Sequence, residues 1–586
     1  MDEPARAGAA SLTRQAPSKS HLWWTLAAFL FVGVWLFAGL GSWALIDPDE
    51  GRNASIALEM KTSGAWLVPT YDNLPYLDKP AFFFRAVALS FSLFGKSEAA
   101  ARLPSAAFGF GLLVVVYFFC RREYGWHTGA LAVVILGTTP MYVIFSRMVI
   151  FDMGLTLAVC SAIFAGYLGE RTLGRERRIW YATGAFAAAV ATLIKGPVGF
   201  FVPLLVLVAY GAVERRWGVL RRICSPVNLA IFFSVSLAWF LGVTFRHHDF
   251  PYYGIVVESF QRFSTQRFHR HGAFYYYVIV IAVLFFPWST LLPEAVVSAW
   301  RARRRILPAE RLLAVAAVVV VLFFSLSKSK LPEYVLPGVV ALGILVARLF
   351  ALAWERPGGA ASRLVRRGAL LMSGVSVVFA LLLGLDVYRG PYLIRDLHVR
   401  GIDGLTSPVL FPPTCWAFAV IAILGLAAYF VRNAKAVFVV CSLFMCLWLT
   451  LGWSSIQAYA EALSTRSLAA RVSAASGPAD IVLMRCFSPG LPYYLGRAVY
   501  LVSVDGRETT SNYIPYSLAS NPAWPPNVVS PSGLPAWLAQ ESRPVYLIAR
   551  VEQKTQLESF ASASGAGVQE ILPGWWGALL PPARAH

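Results

Sequence analysis

The sequence predicts a polytopic α-helical membrane protein with a small α/β domain at its C-terminal end. Three observations carry that prediction. Of 586 residues, 57% are hydrophobic and only 14% are Asp, Glu, Lys or Arg. Soluble domains carry about 25% charged residues, so this chain lacks the polar surface to cover itself in water. Apolar windows long enough to cross a bilayer recur as far as Ser454, and beyond it the pattern changes to short β-branched runs between turn-rich stretches. Fibrous, disordered and disulfide-framework classes are excluded. The seven cysteines are scattered without a CxxC pair, mostly in or beside apolar runs, and read as small buried hydrophobes.

Residues 1–21 form a polar tail carrying Arg6, Arg14 and Lys19. The apolar stretch that follows, 22–46, is too long for a signal-peptide core and reads as a retained first span. A crossing helix needs about 20 apolar residues. Further windows lie at 101–121, 127–146, 151–170, 179–194, 196–213, 227–245, 274–297, 311–327, 333–353, 367–387, 412–432 and 436–454. The expectation is therefore about thirteen transmembrane helices over 22–454.

The formal charge of +20, from 51 Lys and Arg against 31 Asp and Glu, sorts by connection. Alternate loops read RRE at 121–123, ERTLGRERR at 170–178, ERRWGVLRR at 214–222, RARRR at 301–305 and RNAK at 432–435. By the positive-inside rule these and the N-terminal tail are cytoplasmic. The charge reports orientation, and nucleic acid is not an expected partner. The opposite loops hold Asp47, Asp49, Glu50, Asp72, Asp78, Asp249 and Glu258. An odd span count places residues 455–586 outside, where ADIVLMRCF, AVYLVSV and RPVYLIAR predict strands and 460–475 a helix. Trp575 and Trp576 read as core or membrane-surface anchors.

The first outer loop, 47–100, is unusually long. Its first half sets Ile56, Ala57 and Met60 against Glu59 and Lys61, and its second half is aromatic, as in helices lying along a bilayer. Charged groups collect at one membrane depth: Asp49, Glu50 and Arg52 after the first span, Asp78 and Lys79 in YLDKP, Asp152 in VIFDMG, Lys195 in LIKGPVG, and Lys328 and Lys330 in SKSKLPEYVLP. Carboxylates beside several cations describe a site for an anionic substrate with an acid or base. His247, His248 and Asp249 read as a solvated loop.

DPDEGRNASIALEM, YLDKP, Asp152, LIKGPVGFFVP, SKSKLPEYVLP and LPYYLGRAVYLV, running from residue 47 to about 500, resemble the bacterial GT-C glycosyltransferases. The resemblance extends to the lipid A aminoarabinose transferases and the dolichyl-phosphate-mannose–protein mannosyltransferase-like enzymes. It implies a GT-C fold in a bacterial inner membrane, a polyprenyl-phosphate sugar donor and an acceptor on the periplasmic face, lipid A or another glycolipid. Asp49 resembles the family's essential carboxylate and Asp152 its second acid, and Glu50, beside the first, is expected with them among the catalytic acids. Arg52, Lys79 and Lys195 resemble its phosphate-binding cations, with Tyr334 an aromatic hydroxyl near the donor and Lys328 and Lys330 beside it. The aminoarabinose transferase pattern has EKP where this chain has Asp78. That Glu binds a metal with a later His, so the resemblance implies a zinc site of Asp78 with His269 or His271. The implied reaction is inverting transfer. The alternatives are a protein O-mannosyltransferase-like enzyme and, from another class, a lipid or sugar transporter, against which stand the one-sided charges and the lack of a repeat.

Overall fold

The computed structural model describes residues 19–262, 272–301, 306–390, 406–520 and 524–582. The chain divides into two compact units, one drawn from 1–40, 105–238 and 260–459, the other from 41–104, 239–259 and 460–586.

The first unit is helical. Among the described residues of the whole chain, eight helices are long and apolar enough to cross a membrane, or ten if two sharply bent pairs each count as one span. The remaining three expected windows fall on helices that are shorter or more polar. The apolar helices His21–Phe37 and Val198–Val213 are short, and Gly174–Lys195 opens on Arg175, Glu176, Arg177 and Arg178. Both bends have a local cause. Thr139, before Pro140, is extended, and the pair Trp126–Gly137 and Pro140–Ser146 turns by 69° there. Tyr276–Leu284 and Trp288–Val297 turn by 111° around Pro287.

Burial separates interior from peripheral helices. Asp152–Arg171 is 89% buried over its apolar window, whereas Ala360–Arg389 is 28% buried and exposes Leu381, Leu382 and Leu385. Apolar surface exposed on this scale belongs against lipid. Between helices, small residues permit close approach: a Cβ on Gly343 would lie 2.5 Å from Leu136. Arg147, nearly fully buried, closes the end of Lys19–Phe37 by donating to the carbonyls of Trp35 at 2.6 Å, Leu36 at 3.4 Å and Gly39 at 3.1 Å.

The second unit contains the long loop and the C-terminal sheet. Asp49–Ser63 begins with two acids at its positive end and stops at Gly64, whose φ of 71° lets its N–H reach the Met60 carbonyl. This helix and Phe82–Phe94 have 15 and 13 residues, too short to cross a bilayer. Between them β1 (Thr70–Tyr71) and β2 (Leu74–Pro75) form a hairpin. Asp72 and Asn73 at its tip have φ of 55° and 60°, the paired left-handed conformation of a type I′ turn.

Six strands make the sheet: β3 (Asp480–Met484), β4 (Tyr500–Val502), β5 (Val528–Val529), β6 (Val545–Arg550), β7 (Val568–Leu572) and β8 (Trp575–Leu580), in the order β5-β4-β3-β6-β8-β7. The first four are parallel, and β8 and β7 run antiparallel. Ile481, Leu483 and Ile548 pack on one face under Arg466–Ser476, while Val482, Met484 and Leu547 pack on the other against Leu557. Continuous apolar strands covered on both faces are what a parallel sheet requires. Trp575 and Trp576 lie in β8, one packed on each of these cores.

The hairpin tip is joined to this sheet. Buried Asp72 accepts the Val499 N–H at 2.7 Å, and the Asn527 amide donates to the Asp72 carbonyl. Burial raises the Asp72 carboxyl to about 8; the Val499 bond opposes the rise and Glu59 adds to it. A folded-state pKa above the unfolded one gives stability that is complete below about 4 and lost as pH climbs through about 8. Asp72→Asn keeps an acceptor for Val499 without the charge. Melting of the purified protein is expected to show the variant more stable than wild type at pH about 8.5 and indistinguishable near pH 4. Equal melting differences at both values would contradict this.

Candidate active site

In the second unit the site is built on the turn leading into Asp49–Ser63. Glu50 is fully buried and receives Arg102 on both oxygens, Nε to Oε1 at 2.8 Å and Nη2 to Oε2 at 2.7 Å. Arg102 also donates to the carbonyls of Trp43 at 2.8 Å and Ala44 at 2.9 Å, and Glu50 Oε2 takes the Ile46 N–H at 3.0 Å. Gly51 is required beside it, since a Cβ there would fall 1.9 Å from Asp47 Oδ1 and 2.7 Å from Gly490 Cα. Asp47 receives the Thr465 hydroxyl; burial raises its carboxyl to about 6, with the bonds from Thr465 and Gly490 opposing.

Glu50, expected among the catalytic acids, is therefore a structural counter-charge, sealed from any substrate. Asp49 takes the opposite role. Its side chain is 49% exposed and ion-paired at 2.5 Å with Arg52, which reaches Thr510 Oγ1 at 3.2 Å. One turn of helix thus sends adjacent carboxylates to opposite fates.

Lys79 is also paired. Its ammonium donates to the Asp78 carbonyl at 2.8 Å and to Glu258, and the Lys79–Glu258 pair is largely buried. Glu258 belongs to a π-helix, Tyr253–Gln261, an element often found at functional sites. Tyr76 stands among these groups. Burial raises its phenol; Arg52 opposes the rise, and Asp78, Glu258 and Asp49 reinforce it, so it stays neutral.

Asp78 departs from the metal-ligand expectation. Oδ1 accepts the Tyr253 hydroxyl at 2.6 Å and the Tyr513 N–H at 2.7 Å; Oδ2 accepts the Ser511 hydroxyl at 3.0 Å and the Asn512 N–H at 2.9 Å. A carboxylate has about four acceptor positions, and all four are used. Asp78 thus does not fit a metal: it caps the helix Tyr513–Ser520. His269 and His271 lie outside the described residues. No cluster of three His, Cys, Asp or Glu among the described residues is arranged to hold a metal ion.

The first unit carries its own cluster. Asp152 opens one helix and Lys195 closes another, each at the end where the helix dipole favours its charge. They meet at 2.5 Å, and the Lys195 ammonium lies 4.7 Å from the centre of the Tyr334 ring. Three expected residues from distant stretches of sequence are thereby assembled. Lys330 is buried and donates to the Ser327 carbonyl, while Lys328 is exposed.

Sequence reasoning missed Tyr76, Arg102 and Tyr253, and set Glu258 among the outer acids without a partner. Tyr76 had a local signal, two positions before Asp78. The other three act across the fold and had none.

The sequence and the fold are matched by relatives. Residues 78–239 match the family described as dolichyl-phosphate-mannose-protein mannosyltransferase. The undecaprenyl phosphate-α-4-amino-4-deoxy-L-arabinose arabinosyl transferase of Photorhabdus laumondii is 28% identical over 68% of this chain and 69% of its own. A second transferase so named, from Sodalis glossinidius, is 30% identical over 66% of this chain and 71% of its own. The fold is similar to that of ArnT from Cupriavidus metallidurans in its crystal structure with undecaprenyl phosphate, with a TM-score of 0.79, 24% identity, and 96% and 98% of the two chains covered.

Two outcomes follow from these assignments. Glu50→Ala strands Arg102 without a counter-charge, a loss of about 3–5 kcal/mol. It should lower the melting temperature and yield, with Glu50→Ala/Arg102→Leu recovering part; a stable Glu50→Ala protein defective only in turnover would restore the catalytic role. Asp78→Ala should release the cap at 511–513 and expose the adjoining peptide to limited proteolysis. Chelator treatment of the wild type should leave that peptide protected, and the same cleavage after chelation would return the metal to Asp78.

Proposed function

Because this chain belongs to the undecaprenyl phosphate-α-4-amino-4-deoxy-L-arabinose arabinosyl transferase family, we propose that it transfers a sugar from a polyprenyl-phosphate donor to an envelope glycolipid of the lipid A type. The chain is a multi-span membrane protein and a glycosyltransferase. In the proposed reading the sugar is aminoarabinose, the reaction inverts the anomeric centre, and it runs on the periplasmic side of a bacterial inner membrane. The N-terminus is then cytoplasmic and the C-terminal sheet periplasmic.

The observation that carries this reading is the pairing of each principal cation with a carboxylate: Arg52 with Asp49, Lys79 with Glu258, Lys195 with Asp152. Such cations remain charged and preorganised, as a leaving phosphate requires. The anomeric C–O bond breaks toward a phosphate oxygen, and a polyprenyl phosphate is a weak enough base to depart without a general acid. Arg52 and Lys79 receive the developing negative charge. Lys195, with the Tyr334 ring beside it, supplies the same chemistry within its own unit. Asp49, the exposed carboxylate beside Arg52, orients the acceptor and takes its proton if the nucleophile is a hydroxyl. Asp152 is the second acid and holds Lys195.

Asp49→Asn keeps the size of the side chain and removes its charge. Its turnover with an undecaprenyl-phosphate-linked aminoarabinose donor is expected to fall by about 10²–10⁴-fold, the usual worth of a positioned acid or base, while the protein still binds undecaprenyl phosphate. Mass spectrometry of lipid A from cells carrying wild type or Asp49→Asn reads the acceptor. An unchanged lipid A spectrum would remove the acceptor assignment, and near-wild-type turnover would remove Asp49 from its role.

A further inference from the structure

The group left over from this mechanism is Glu258. It is 8% exposed, lies in the π-helical turn, and spends its charge on Lys79, a cation read above as phosphate-binding. Around Tyr76 the unit places Arg52 and Lys79 against Asp49, Asp78 and Glu258. Three carboxylates against two cations make a poor anion site as it stands. Asp78 is locked by four hydrogen bonds, two of them from backbone N–H groups. Asp49 is committed to the acceptor. Glu258 is the acid whose charge an incoming phosphate would replace on Lys79.

The reaction itself supplies a reason for such an acid. The donor is a phosphodiester with one negative charge. Cleavage of its anomeric bond leaves a monoester, which carries about −1.5 to −2 near pH 7 because its second pKa is near 6. A site of fixed cations alone would hold the product more tightly than the donor and turn over slowly.

We propose that Glu258 is a positioning residue, the displaceable counter-ion of Lys79: it yields the ammonium to the donor phosphate and reclaims it so that the lipid monophosphate leaves. The proposal rests on the reading of Lys79 as a phosphate-binding cation.

The experiment uses the full-length protein in lipid nanodiscs, with undecaprenyl monophosphate as the binding probe and undecaprenyl-phosphate-linked aminoarabinose as the donor. Glu258→Gln is expected to bind the monophosphate about ten times more tightly than wild type, the effect of one fewer competing charge. Its KM and kcat should fall together, with product release slowed. Lys79→Met should bind the probe at least about tenfold more weakly, and Glu258→Gln/Lys79→Met should bind no better than Lys79→Met. Where Glu258→Gln does not fold, Glu258→Ser, whose short side chain leaves room for water, carries the same expectations. If Lys79→Met weakens binding but both Glu258 variants bind as wild type or less tightly, the counter-ion role is overturned and the phosphate reading stands. If Lys79→Met binds as tightly as wild type, both fall.

Discussion

The buried pair of Glu50 and Arg102 is the constraint on which the turn into Asp49–Ser63 depends. Neither side chain reaches solvent, and together they tie residues 43, 44, 46 and 50 into one hydrogen-bonded knot. Desolvating two charges is costly, and only geometry of this quality, with each remaining donor and acceptor satisfied, offsets it. The result is a rigid entry into the helix that begins at Asp49. Gly51 adds to the rigidity, since the Asp47 carboxylate and the Gly490 backbone leave no room for a side chain. Asp49 is positioned because its neighbour is immobilised.

Charge is managed by the same means elsewhere. Arg52, Lys79 and Lys195 are each held by a carboxylate, and in the Asp152–Lys195 pair the helix termini contribute as well. An isolated ammonium in a partly desolvated setting tends to give up its proton. Pairing keeps it cationic while leaving an exchangeable partner. Each cation is thereby balanced within the fold.

Much of this was legible in the sequence, and the failures are instructive. The apolar windows fall on helices, two of them broken into bent pairs, because a bilayer demands length and hydropathy and both are local properties. The expected strands at 479–487, 498–504 and 543–550 became β3, β4 and β6, whereas β5 has two residues and β7 and β8 lie in a stretch read only for its tryptophans. Asp152, Lys195 and Tyr334 were grouped by their resemblance to a family, and the fold brings them together. Glu50 departs from the expectation it shares with Asp49, since nothing in DPDEGRN tells which carboxylate meets an arginine 52 residues later. The resemblance of YLDKP to the EKP pattern implies a ligand at Asp78, and its spacing cannot reveal the four donors from Tyr253 and residues 511–513 that fill the carboxylate.

The closure of the first helix by Arg147 bears on biogenesis. The residue that satisfies the carbonyls of Trp35, Leu36 and Gly39 lies 112 positions after Trp35. During synthesis those carbonyls have no Arg147 to meet until several later hydrophobic segments have emerged. A helix end satisfied by a side chain so distant in sequence is complete only once the intervening segments are folded against it.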